Sequence, residues 1–144
     1  MKLTPEKRSG FTLIEIVIVL AIAALIMVIV FVAVQGAQRA RRDTARKNDA
    51  NIILTAAQQY MSNNSGSVPT TDFSVAYKTP TKDPDGTTYT SQTPVVASAT
   101  ADATTRLVMG PGTCTGGQVT YSATAKTYAV SIYQENGGAY CVSS

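Results

Sequence analysis

The sequence has no histidine and no tryptophan among its 144 residues. The missing histidine removes the commonest acid–base group near neutral pH and the commonest metal ligand. A serine or cysteine nucleophile would then need a lysine or carboxylate as its base. Lys78, Lys82 and Lys126 fall in polar loops or turns without a specific nucleophile beside them, so the chain reads as a non-enzyme. Proline is absent between Pro5 and Pro69. One helix can therefore run uninterrupted from about Phe11 to about Met61. Cysteine is limited to Cys114 and Cys141, both in the C-terminal third. In an exported domain an even pair reads as one disulfide; the other reading is two free buried thiols.

Charge of one sign is also scarce. The net charge is +3, and without residues 1–10 nine basic and eight acidic side chains remain. That balance does not indicate a globally basic nucleic-acid binder. Residues 62–105 contain seventeen Ser and Thr, and so supply little core of their own. The soluble part is small and must pack against something else, for which a long helix is the obvious candidate.

What the chain has in abundance is apolar length. Phe11 to Val34 is apolar apart from Thr12 and Glu15. As a helix it reaches about 36 Å, enough to cross a bilayer. A secretory signal has a shorter apolar core followed by a small-residue cleavage site. No convincing site of that kind follows here, so the segment is expected to stay attached. Lys2, Lys7 and Arg8 precede it, whereas Arg39, Arg41, Arg42, Arg46 and Lys47 follow it. Counting positive charge favours the second flank as the cytoplasmic one. The short basic leader favours the opposite orientation, and composition alone leaves the conflict open.

The residues "SGFTLIE" bear on it. Gly10, Phe11, Thr12 and Glu15, followed by an apolar helix, resemble the processing signature of type IV pilins and their pseudopilin relatives. The resemblance covers residues 1 to about 60 by motif and the rest by architecture. It implies that a membrane peptidase cuts after Gly10 on the cytoplasmic side and methylates the new amine of Phe11. It also implies that Glu15 compensates the Phe11 amine of a neighbouring subunit. An unpaired carboxylate would penalise wrong registers in an apolar filament core. The implied partners are further copies of the chain, the peptidase/methyltransferase, an inner-membrane assembly platform and its ATPase. The implied localisation is a single pass through the cytoplasmic membrane with the N-terminus inside, then an extracellular pilus. Twitching motility, adhesion and DNA uptake are the functions of such filaments. A type II secretion pseudopilin and a membrane-anchored extracellular binding module are the alternatives.

The expected fold is α+β: a long N-terminal helix packed on a small antiparallel sheet of three to four strands. Residues 1–10 form the leader, 11–35 the membrane and filament-core helix, 36–62 an amphipathic helix, and 63–144 a globular β domain. Ala50, Ile53, Leu54, Ala57, Tyr60 and Met61 recur at spacings of three and four, making one apolar stripe suited to covering a sheet. Asn63-Asn64-Ser65-Gly66 supplies its stop. The run "RARRDTARK" reads as a solvated face with Asp43 and Asp49 interleaved, touching anionic headgroups and later neighbouring subunits. Nucleic-acid binding is the weaker reading, because no aromatics interleave.

Residues 63–105 read as an extended loop with short strand pieces at best. Asp83 and Asp85 are the calcium candidates, as some pseudopilins bind calcium in the corresponding loop. A Ca²⁺ site needs six or more oxygens, so Pro84-Asp85-Gly86 reads first as turn chemistry and only second as a calcium loop. From residue 106 four stretches alternate like strands: "RLVM", "QVTYSA", "TYAVSIY" and "AYCVS". Meander connections between them predict an antiparallel sheet with Tyr128, Val130 and Ile132 facing the helix. A bond from Cys114, in the loop "GPGTCTGG", to Cys141 on the last strand would stabilise by roughly 3.5 kcal/mol on the chain-entropy model. It resembles the C-terminal disulfide loop of many pilins.

Overall fold

The computed structural model describes residues 10–89, 93–95 and 97–144. The leader expected at residues 1–10 lies, but for Gly10, outside them. The described elements are α1 (Leu13–Asn63), α2 (Ser74–Tyr77), β1 (Ala99–Thr100), β2 (Leu107–Thr115), β3 (Gln118–Tyr121), β4 (Tyr128–Tyr133) and β5 (Ala139–Ser143). The chain divides into two compact units, one ending at Ala37 and one spanning Gln38–Ser144.

Among its described residues the first unit is residues 10–12 followed by the N-terminal part of α1. Every residue from Gly10 to Ala37 is exposed, including Phe11, Leu20, Ile29 and Phe31. This part of α1 is long and apolar enough to cross a membrane. The backbone stays helical through Val30–Ala33.

In the second unit, α1 packs on a five-stranded antiparallel sheet of order β1-β3-β2-β4-β5. Ala50, Ile53, Leu54 and Ala57 are buried, and Tyr60 and Met61 pack partly buried beside them. They meet Leu107 and Met109 of β2 and Tyr128, Val130 and Ile132 of β4, as the alternation in β4 predicts. The helix stops where its sequence signals: the Gly66 N–H donates to the Met61 carbonyl at 2.7 Å, and Ser65 and Gly66 take positive φ.

Three expectations change. There are five strands rather than three to four, because β1 adds a two-residue edge inside the stretch read as loop. Two residues are too few to show an alternation. The connections are not a simple meander, since β2 lies between β3 and β4. Its residues Leu107–Pro111 pair with β4 and its residues Gly112–Thr115 pair with β3. Finally, β2 continues to Thr115, so Cys114 lies on a strand and not in a loop.

Gly112 makes the change of partner feasible. Its φ is +147°, and a Cβ placed there would sit 2.0 Å from the Thr120 carbonyl oxygen. The Gly112 N–H donates to the Thr127 carbonyl, and the Ser122 N–H to the Pro111 carbonyl, which closes the corner. On the opposite face of the sheet from α1, a second small core forms from Val108, Val119, Ala129 and Ala101. The Ser131 hydroxyl, fully buried, donates to the Gly117 carbonyl at 2.6 Å. Cys114 and Cys141 are joined, with their Cα atoms 5.7 Å apart, and pack against this second cluster. The bond ties the terminal strand, which would otherwise tend to fray.

Two substitutions test this packing by urea unfolding of the detergent-solubilised full chain. Gly112→Ala meets backbone rather than a movable side chain, and is expected to cost about 2–4 kcal/mol. The Tyr128 hydroxyl is buried with no hydrogen-bond partner among the described residues. Tyr128→Phe is therefore expected to be neutral or to stabilise by about 1 kcal/mol.

Candidate functional site

Gly10, Phe11 and Glu15 lie at the start of α1, all exposed. The Glu15 carboxylate is turned back on its own helix: its Oε2 accepts from the Thr12 N–H and the Thr12 hydroxyl, both at 3.1 Å. The Glu15 N–H reaches the Thr12 Oγ1 at 3.4 Å and the Thr12 carbonyl at 3.1 Å. This is a reciprocal capping box, in which Thr12 and Glu15 satisfy each other's free backbone donors. The spacing Thr-x-x-Glu before an apolar run is its sequence signal. An acid near the start of a helix also faces the positive end of the helix dipole. Glu15 is thus locally satisfied through Oε2, while no bond to Oε1 occurs among the described residues.

The second unit holds a denser charged centre. Arg46 is completely buried. Its Nε and Nη2 grip Asp83 in a two-pronged pair, each at 2.8 Å. Nη2 also reaches Glu135 at 2.9 Å, and Nη1 reaches Asp43 at 3.0 Å. Asp43 in turn accepts from the backbone N–H groups of Glu135 and Asn136. Arg42 pairs with both Glu135 oxygens at 2.8 and 2.6 Å, and Arg106 pairs with Asp85 and Asp83. Three guanidinium groups therefore face four carboxylates, joining α1 to the 83–87 turn and to the β4–β5 turn. The basic run expected to be solvated instead supplies two of these arginines, and Asp43 is buried among them.

The reason is positional. Asp43 and Arg46 continue the stripe of Ala50, Ile53, Leu54 and Ala57 toward the N-terminus at spacings of three and four. Residues on that line face the sheet whatever their charge, and so had to be paired. Burial opposes the charge on Arg46, but the hydrogen bonds and attraction of Asp83, then Glu135 and Asp43, outweigh it and raise its pKa. The Arg42 hydrogen bond, with Arg46 beside it, holds Glu135 down at about 2.

Asp83 and Asp85, the calcium candidates, form a tight turn. The Gly86 N–H donates to the Asp83 carbonyl at 2.8 Å, and the Thr87 N–H to the Asp85 carboxylate at 2.8 Å. Both carboxylates already hold guanidinium groups. No cluster of three or more His, Cys, Asp or Glu able to hold a metal occurs among the described residues. A divalent cation at this turn would have to compete with Arg46 and Arg106. The disulfide lies apart from these pairs, between β2 and β5.

Removing the buried cation leaves its carboxylates uncompensated, so Arg46→Ala is expected to cost about 3–5 kcal/mol in chemical unfolding. Arg46→Lys should recover only part of that, because an ammonium cannot reproduce the two-pronged grip on Asp83. The Glu135 carboxyl has a folded pKa below its ordinary 4.5. Its contribution is therefore present above pH 4.5 and is lost as pH falls from 4.5 toward 2. In melts across that window, Glu135→Gln should be less stable than the parent at neutral pH and should lose less stability on acidification.

Comparison with known proteins gives one family match: the model described as the prokaryotic N-terminal methylation motif fits residues 6–31. No curated protein and no solved structure matches the chain. The matched residues include Gly10, Phe11, Thr12 and Glu15 and most of the exposed apolar helix, as far as Phe31. The chain therefore carries the N-terminal methylation signature of type IV pilins and pseudopilins at the head of a membrane-length helix.

Proposed function

We propose that the chain is a structural subunit of a type IV pilus, held in the membrane by α1 before assembly and in a bundle of identical helices afterwards. The observation that carries this reading is the apolar helical surface from Phe11 to Val34, wholly exposed and interrupted by one carboxylate. In lipid that surface is at home. In a filament it needs other apolar helices to replace the lipid, and head-to-tail contacts that do not close generate such a fibre.

The signature supports cleavage after Gly10 and methylation of the Phe11 amine by a prepilin peptidase. It also supports an N-terminus on the cytoplasmic side and a sheet domain on the far side. Assembly then depends on an inner-membrane platform and its ATPase. Glu15 would exchange part of its capping interaction for the Phe11 amine of a neighbouring copy. Twitching motility and adhesion are the activities such a fibre supports. A pseudopilin would share the signature. The tied C-terminal strand favours the pilin, and the engagement of Asp83 and Asp85 by arginines weakens the calcium-loop argument for the other.

Glu15→Val should leave membrane insertion intact and abolish or greatly reduce surface filaments, counted by electron microscopy. Normal filament yield from that variant would remove Glu15 from assembly. Calcium titration of the parent should leave its melting temperature unchanged; a rise of several degrees that chelator reverses would favour the pseudopilin.

A further inference from the structure

The fold sorts the charges of the basic run by destination. Asp43 is buried, accepting from Arg46 and from the amides of the β4–β5 turn. Asp49 accepts from the Tyr89 hydroxyl at 2.8 Å. Both acids that interleave the run in sequence are therefore spoken for. Arg42 and Arg46 are committed to Glu135 and Asp83. What remains outward is cationic: Arg39, Arg41 and Lys47 are exposed, with no ion pair among the described residues.

Their positions differ in consequence. Arg39 and Arg41 follow the last residue of the apolar run, Val34, by five and seven residues. At 1.5 Å per residue that is about 8–11 Å along a helix. The polar layer of a bilayer leaflet is about 5–8 Å deep, and long arginine side chains reach back toward it. Arg39 and Arg41 also stand about 200° apart around the helix, so they present guanidinium groups to opposite sides. Lys47 lies almost two further turns out, and its ammonium sits 5.5 Å from the Tyr140 ring centroid.

We infer that Arg39 and Arg41 form a headgroup clamp for anionic phospholipid, each guanidinium engaging a lipid phosphate, in the leaflet where α1 leaves the membrane. This rests on the membrane-anchored state proposed above. Guanidinium suits the task because its planar fork matches phosphate oxygens and stays charged at every physiological pH. The withdrawal of Asp43 and Asp49 matters as much as the arginines, since an acid at the same depth would cancel the attraction. Lys47 serves as an internal contrast, being of like charge but too far out for direct contact.

The full chain is incorporated into phosphatidylcholine nanodiscs containing trace spin-labelled phosphatidylglycerol or spin-labelled phosphatidylcholine. The motionally restricted fraction of each probe is then compared by electron paramagnetic resonance. A preference of about fivefold for the anionic probe is expected, from the attraction of a basic side chain near the surface. R39Q/R41Q should lose most of it, K47Q should keep it, and high salt should erase it, with melting temperatures unchanged throughout. Equal restriction of the two probes by the parent, or an unchanged preference in R39Q/R41Q, overturns the clamp. Retention of a short DNA duplex by the same nanodiscs that vanishes in R39Q/R41Q, with lipid preference unaltered, overturns it in favour of nucleic acid. Failure of the parent to enter the bilayer would contradict the membrane-anchored state itself.

Discussion

An apolar helical surface that the described residues of its own chain leave uncovered is the constraint on which the remaining features depend. From Phe11 to Val34 the side chains are exposed, with no partner among the described residues that would remove them from water. At about 25 cal/mol per Å² of apolar area, leaving such a surface in water is untenable, so the segment requires lipid or other helices. The single acid is tolerable in both surroundings because the Thr12 cap satisfies one of its oxygens locally. An uncapped carboxylate at that depth would be costlier in lipid. The same arrangement leaves the other oxygen without a hydrogen bond among the described residues.

The second unit answers the opposite demand, to be complete in itself. Its core is built from one helix stripe and one sheet face, with a smaller cluster on the other side of β4. The buried Arg46 centre fixes two turns against α1 at once, through Asp83 on one side and Glu135 with Asp43 on the other. Such buried pairs add little net stability compared with apolar packing, but they specify geometry, because a displaced turn would strand a charge. The disulfide and the Gly112 corner constrain the terminal strand and the long β2 in a comparable way.

Much of this was legible in the sequence. The long helix, its stripe from Ala50 to Met61, its stop at Asn63–Gly66 and the inward face of β4 all follow from periodicity and turn chemistry. The topology did not follow. One strand that changes partners at a glycine looks, in sequence, like a short strand followed by a loop, so the pattern alone ends β2 at Met109 and leaves Cys114 off the sheet. The β1 edge is too short to carry any pattern. The charged centre was missed for a different reason: sign and polarity masked the spacing that puts Asp43 and Arg46 on the buried line. Its acidic partners, Asp83 and Glu135, lie 37 and 89 residues from Arg46, and no local signal connects them. At the helix start the glycine–Phe–Glu signature is plain in the sequence, and the Thr-x-x-Glu spacing beside it encodes the cap.

If α1 exchanges lipid for copies of itself, the protein should be found in fibres with a processed helix start. Electron microscopy of cell-surface filaments, paired with mass spectrometry of their subunit, tests this most directly. The account predicts long fibres whose subunit begins at N-methylated Phe11. A chain that retains residues 1–10 in the fibre, or that is processed yet confined to the membrane without forming fibres, would contradict it.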